Sequence, residues 1–257
     1  MADDYAFIAP IYDKIGMASF AEDMTPRLIN WAQSNDWVGR SILDLGCGTG
    51  RSAQWLANQL GLNVTAIDAS EAMLTTARQN VKSDGLPLRW QSGDMRHLEL
   101  SLPVDMVLAL NVLNELNSLR ELEAVFNSTQ RTLEPGKLFI FDLYTIQGLA
   151  EAGTHGGRRV YSDDDTVVFA EPQFDYERLM TTTTYTIFRR DTAQFVRGTF
   201  VHTQRGFPVQ AVAALLQRTG FSISALLTTS LDPFDPAASQ AGRVIFFALT
   251  GATQEST

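Results

Sequence analysis

Ile42-Leu43-Asp44-Leu45-Gly46-Cys47-Gly48-Thr49-Gly50 is the stretch that decides the fold. A short apolar run from Ser41 to Leu45 reads as a buried strand, and it ends in a turn where Gly46, Gly48 and Gly50 alternate. Glycine accepts φ > 0 and lets a backbone approach a ligand closely. Ala53, Leu56, Ala57 and Leu60 follow at i, i+3, i+4 and i+7, one face of a helix, and Gly61 stands where a left-handed C-terminal residue belongs. A strand, a glycine-rich turn and a helix N-terminus together make an anion- and nucleotide-binding corner. The spacing departs from the dinucleotide fingerprint G-x-G-x-x-G: the third glycine comes one residue early and Arg51 takes its place.

The alternation continues outward. Val64–Ile67 reads as a strand, and Met73, Leu74, Ala77 and Val81 as a helix that Gly85 closes. Leu86–Gln91 reads as a third strand, and Val104–Leu110 as a fourth that is buried on both faces. Ser118 with Glu121 forms a capping box before Leu122, Val125, Phe126 and Leu133. Glu134-Pro135-Gly136 ends that helix, and Leu138–Leu143 is a fifth strand. Such alternation predicts a doubly wound α/β fold with a mostly parallel sheet. After Leu143 the texture changes. Gly153–Gly157 reads as a loop, and residues 158–205 as three or four antiparallel strands without a helix, turning at Asp163-Asp164-Asp165 and near Arg190-Asp191. Val209, Val212, Ala213 and Leu216 restore helical spacing, with Pro208 at the first helical position and Gly220 at the end. Phe221–Thr229 and Arg243–Leu249 read as closing strands, and the tail Gly251–Thr257 as disordered.

Four polar motifs fall at strand carboxyl ends, where open α/β sheets bind ligands. They are the Asp44–Gly50 turn, Asp68 with Ala69, Gly93-Asp94-Met95, and Asn111-Val112-Leu113-Asn114-Glu115. Asp68 lies 68 − 44 = 24 positions after Asp44, a distance at which an acid can take both hydroxyls of a ribose.

Taken in order, these motifs resemble the class I S-adenosylmethionine-dependent methyltransferases. Asp44–Gly50 looks like that family's first motif, Asp68 like its ribose-binding acid, and Asp94 like the residue near the adenine amino group. Leu133-Glu134-Pro135-Gly136 resembles the turn before the family's fifth strand, although Lys137 replaces a second glycine. The resemblance covers residues 41–142 well and the closing elements less fully. It implies a Rossmann-like sheet of seven strands with the last antiparallel, and S-adenosylmethionine as cofactor with no metal. The cofactor contacts it implies are Tyr12, Asp44, Gly46, Cys47, Gly48, Asp68, Ala69, Met73, Gly93, Asp94, Met95, Asn111 and Val112. Tyr5 and Ala9–Asp13 look like the amino-terminal segment of small-molecule methyltransferases that folds over the cofactor. His202-Thr203-Gln204-Arg205 resembles a segment of the glycine- and amino-sugar-N-methyltransferase-like group. The organisation expected is a covering segment over residues 1–40 and a cofactor domain over 41–143 and 206–250. An antiparallel insertion over 144–205 would wall the substrate pocket or serve as a homodimer contact.

His202, Tyr12 and Asn114 are the candidates for chemistry, and Tyr5, Asn114, Tyr185, His202 and Arg205 for substrate contact. His202 is the best candidate base, with a structural strand-end histidine as its plain reading, and Arg205 suits either a substrate carboxylate or a nearby acid. Cys47 is read as a small buried side chain, and Ser70 as the helix cap beside Asp68. The implied reaction is methyl transfer to a small-molecule amine or hydroxyl. The alternatives are a peptide or protein amino-terminal methyltransferase and a non-catalytic cofactor-binding module.

Composition narrows the partners. Twenty Lys and Arg against 29 Asp and Glu give a net charge of −9, which disfavours nucleic acid and anionic membrane surfaces. With 45% hydrophobic and 19% charged residues the chain has a globular composition. Cys47 is the single cysteine, and His97, His155 and His202 lack metal-ligand spacing. The Met1–Asp4 start has neither the basic nor the apolar region of a signal peptide, so a cytoplasmic location is expected.

Overall fold

The computed structural model describes residues 5–81, 85–192 and 194–251. Helix α1 spans Ser19–Ser34 and carries Pro26 internally. The expected alternation follows: β1 (Ser41–Leu45), α2 (Arg51–Leu60), β2 (Asn63–Asp68), α3 (Glu71–Asn80), β3 (Leu88–Ser92), β4 (Val104–Ala109), α4 (Leu119–Thr132) and β5 (Leu133–Tyr144). Then come α5 (Ile146–Thr154), the strands β6 (Arg158–Ser162), β7 (Thr166–Asp175), β8 (Met180–Asp191) and β9 (Gln194–Arg205), and finally α6 (Val209–Arg218), β10 (Phe221–Leu227) and β11 (Arg243–Thr250).

Seven strands form one sheet in the order β10-β11-β5-β4-β1-β2-β3. β1 to β5 run parallel, and β11 pairs antiparallel with both β5 and β10. The fold is therefore the Rossmann-like doubly wound sheet that was expected. From β1 the chain moves outward to β2 and β3 and then crosses back to β4 on the other side of β1. The carboxyl ends of those strands frame the crevice of a topological switch point. Central strands bury both faces by alternation: Phe139 and Phe141 pack with Phe126 and Phe246 on one side, while Leu138 and Ile140 join Leu56, Ile245 and Phe247 on the other. The Phe141 and Phe246 rings stack at 4.6 Å, consistent with a close-packed interior.

β6 to β9 form a separate antiparallel sheet, the insertion after the fifth strand. It joins the rest through a small core of its own, in which Ile8 and Ile11 pack against Val168, Ile187 and Phe200. Residues 5–18 are thus wedged between the two sheets. Asp163 makes the expected hairpin turn, its Oδ1 accepting the Asp165 and Thr166 backbone N–H groups.

Several boundaries differ from the sequence reading. The segment read as a loop from Gly153 is helix to Thr154, the end of α5, which opens on Thr145 as its cap; the Gly148 N–H donates to the Thr145 hydroxyl at 3.0 Å. β5 begins at Leu133 and carries Glu134-Pro135-Gly136 within it, with Gly136 at φ +75°. Pro208 stands at the cap of α6, one position before the helix. The expected disordered tail beyond Gly251, and the Met1–Asp4 start, lie outside the described residues.

Candidate active site

The glycine turn is fixed by its neighbours before any ligand is considered. The Gly46 and Cys47 N–H groups both donate to the Ile67 carbonyl, at 2.8 and 3.0 Å, which ties the turn to the end of β2. Gly46 has φ +69°, and a Cβ there would lie 2.5 Å from Val112; at Gly50 (φ +78°) it would lie 2.2 Å from the Trp90 ring. Only glycine satisfies both the conformation and the contact at these two positions. A Cβ on Gly48 would meet nothing, because that residue faces the cavity.

Asp68 draws the turn and α3 together. Its Oδ2 accepts the Gly48 N–H at 2.7 Å and its Oδ1 the Ser70 N–H at 2.8 Å. The Ser70 hydroxyl accepts the Met73 N–H, so Ser70 caps α3 as the sequence suggested.

Asp44 lies beneath the turn, fully buried. It accepts the Ala53 N–H from the first turn of α2, while its Oδ2 meets no hydrogen-bond partner among the described residues. Burial, with a smaller contribution from the Asp68 charge, pushes its carboxyl up to about 7.

Over these groups lies a cavity of about 580 Å³. Tyr5, Tyr12, Gly46, Cys47, Gly48, Asp68, Ala69, Met73, Gly93, Met95, Asn111 and Val112 all line it. Twelve of the expected site residues are thus brought together. Six are not part of its wall. Asp44 lies below it. Asp94 is held by Arg96, whose Nη2 donates to Oδ2 at 2.6 Å. The Asn114 amide is consumed internally: it donates to the Tyr144 and Arg205 carbonyls at 3.2 and 2.8 Å and accepts the Tyr144 N–H at 2.8 Å. The Arg205 guanidinium turns to the Arg178 carbonyl and the Met180 sulfur. Tyr185 packs on Phe200. His202 is 8% exposed, and its Nε2 stands 3.0 Å from Oε1 of Glu115.

Glu115, to which the sequence reading gave no role, does line the cavity. The Tyr5 hydroxyl donates to the same Oε1 at 2.6 Å. Burial, then the nearby Glu115 charge, raises the Tyr5 phenol well above its ordinary range, and burial, Glu115 and Asp68 do the same to Tyr12. Both phenols therefore remain protonated near neutral pH and serve as donors. Burial likewise keeps the Cys47 thiol protonated.

A polar relay braces the wall behind Asn111. That residue has φ +59°; its N–H donates to Asp142 at 2.7 Å, and its Oδ1 accepts from Arg243 Nη2 at 2.7 Å. Arg243 is itself stacked between the Phe20 and Tyr144 rings, at 3.6 and 3.7 Å.

The amino-terminal segment is latched by Asp13. Its carboxylate accepts from the Thr49 hydroxyl, from Arg51 Nε at 2.8 Å and from Asn80 Nδ2 at 3.0 Å, reaching the glycine turn, α2 and α3 at once. Charged hydrogen bonds of this kind contribute about 2 kcal/mol. Asp13→Ala is therefore expected to speed limited proteolysis within residues 5–18 by roughly tenfold to thirtyfold. An unchanged cleavage rate would show that the apolar wedge alone holds the segment.

Among the described residues no group of three or more His, Cys, Asp or Glu stands close enough to hold a metal ion, and no helix is long and apolar enough to cross a membrane.

Comparison with known proteins agrees with this geometry. A family profile described as a methyltransferase domain matches residues 42–136. "Putative methyltransferase YqeM" of Bacillus subtilis is 28% identical over 246 residues, covering 94% of this chain and 95% of that protein. Among solved structures, an S-adenosylmethionine-dependent methyltransferase from Clostridium acetobutylicum superposes with a TM-score of 0.80 at 24% identity, over 96% of this chain and 99% of its own. The amino pentose methyltransferase CalS10 of Micromonospora echinaspora, solved with S-adenosylmethionine bound, gives 0.68 at 20% identity, over 90% and 91%.

Proposed function

We propose that this chain, a class I S-adenosylmethionine-dependent methyltransferase, methylates a small-molecule acceptor inside the cavity between the glycine turn and the amino-terminal segment. The observation that carries the reading is the position of Asp68: a carboxylate at the carboxyl end of β2, facing a 580 Å³ cavity at the switch point of the sheet. That volume lies within the ordinary range for small-ligand sites.

The residues present fit the cofactor. Asp68 suits the ribose hydroxyls, and the open face of Gly48 leaves room for close approach. The unpartnered Oδ2 of Asp44 is a buried acceptor suited to an ammonium group. Gly93 and Met95, after β3, line the end expected for the adenine, and Asn111 and Val112 line the cavity after β4. Bound there, S-adenosylmethionine supplies a sulfonium methyl group, which passes to an acceptor lone pair while the sulfur–carbon electrons remain on sulfur. Tyr12 and Asn111 order this region, and the segment latched by Asp13 keeps water out. In this reading His202 acts through Glu115 rather than on the acceptor, which its burial and its 3.0 Å approach to Glu115 support.

The test is calorimetric titration with S-adenosylhomocysteine. Wild type is expected to bind in the micromolar range, and Asp68→Ala to weaken binding at least about tenfold. Asp68→Asn, which keeps one acceptor for the backbone N–H groups, is expected to weaken it as well. Equal affinity in all three proteins would remove Asp68 from the cofactor site and the reading with it.

A further inference from the structure

We propose that Glu115 is the acceptor-binding carboxylate of this site and that it selects an acceptor carrying a protonated amine. The inference rests on the methyl-transfer reading above and adds to it the charge of the acceptor.

Glu115 follows β4 in a short helical turn, Leu113–Glu115, at the switch point. Its side chain is 31% accessible and lines the cavity. The two carboxylate oxygens are unequally used. Oε1 accepts the Tyr5 hydroxyl at 2.6 Å and faces His202 Nε2 at 3.0 Å. Oε2 has no hydrogen bond to the protein among the described residues. Two side chains from distant parts of the chain thus fix the carboxylate by one oxygen and leave the other for a ligand. The His202 ring is stacked against Phe200, and Tyr5 packs on the same ring at 4.9 Å, so both partners are locked in turn. Such preorganisation reduces the ordering cost of binding.

The charges around the cavity set the sign of what it accepts. Among the described residues Asp68, Glu71 and Glu115 line it against one cation, Arg51, which is already engaged by Asp13 and Glu22. Asp68 belongs to the cofactor end. Glu71 is paired with Arg78, which leaves Glu115 as a charge on a wall it shares with Tyr5 and Tyr12, a setting that favours an ammonium over an anion. Glu115 Oε2 would also serve as the base for such an acceptor: on transfer of the ammonium proton to it, the N–H electron pair returns to nitrogen as the lone pair that attack requires. Tyr5 and His202 are positioning residues that act through Glu115.

The experiment uses the full chain saturated with S-adenosylhomocysteine, with cyclohexylamine and its neutral counterpart cyclohexanol as probes, followed by saturation-transfer NMR. Wild type is expected to bind the amine about tenfold or more tightly than the alcohol, the range of a charge-assisted hydrogen bond. Glu115→Gln should abolish that preference while binding S-adenosylhomocysteine within about twofold of wild type. Tyr5→Phe should reduce the preference, and His202→Ala should reduce it with recovery in His202→Gln, which keeps a donor. A preference that survives Glu115→Gln, or one that wild type never had, would overturn the proposal while leaving the cofactor site intact. Failure of wild type to bind S-adenosylhomocysteine at all would instead overturn the methyl-transfer reading, and this inference with it.

Discussion

Arg243→Met is expected to destabilise the protein by about 3–5 kcal/mol, the cost of leaving a buried carboxylate without its cation. Asp142 is 1% exposed, and Arg243 Nε stands 3.3 Å from its Oδ2. That contact brings the charges together without a well-aligned hydrogen bond, since Oδ2 has no hydrogen-bond partner among the described residues. Burial accordingly outweighs the guanidinium and holds the Asp142 carboxyl above its usual range. Methionine can still lie between the Phe20 and Tyr144 rings, so the loss isolates charge from packing. In a chain of this size the effect corresponds to about 10 °C in Tm. The double variant Asp142→Leu with Arg243→Met should recover only part of it: the unpaired buried charge is gone, but the Asn111 N–H loses its acceptor and the Asn111 Oδ1 its donor. A single variant with unchanged Tm would mean that Asp142 is already neutral in the folded protein and gains nothing from its neighbour.

The second large effect concerns pH. Asp44 has a folded pKa of about 7 against an ordinary 3.8. Its protonated form therefore favours the folded state. That contribution is fully present below about pH 4 and is lost as pH rises through about 7. The full shift corresponds to at most roughly 4 kcal/mol. Asp44→Asn, which cannot ionise, should flatten this dependence and exceed wild type in stability above pH 7, as read by urea unfolding at pH 6 and pH 9. The same variant should bind S-adenosylhomocysteine more weakly, because the carboxylate that destabilises the free protein is the proposed partner of the ligand ammonium. Parallel pH profiles for variant and wild type would place the Asp44 titration outside this range.

The part of the cavity wall around the glycine turn was legible because its signals are local. Asp44, the three glycines and Ala53 lie within ten positions, and Asp68 follows at a fixed strand-to-strand distance. The wall around Glu115 was not. Glu115 meets Tyr5 across 110 positions and His202 across 87, and no periodicity reports such a meeting. His202 stood out for its chemistry, yet only burial and distance reveal that it faces a carboxylate rather than the cavity. Asn114 sat in a promising motif, but its amide is spent on the Tyr144 backbone and on the Arg205 carbonyl. α5 escaped notice because Ile146–Thr154 holds two glycines, poor helix formers, and buries only Gly148 and Leu149. Its one local sign is the Thr145 cap. The strand order of the sheet came from the family resemblance rather than from patterning.

The two sheets share no ladder of backbone hydrogen bonds among the described residues; the amino-terminal wedge and side-chain packing join them. Backbone pairing propagates register rigidly, whereas side-chain contacts tolerate substitution as long as volume and polarity are kept. Changes in strand length or sequence across β6–β9 therefore do not disturb the alignment of the glycine turn with Asp68. The molecule is modular in the evolutionary sense: one half can hold a fixed chemistry while the other drifts toward a new ligand.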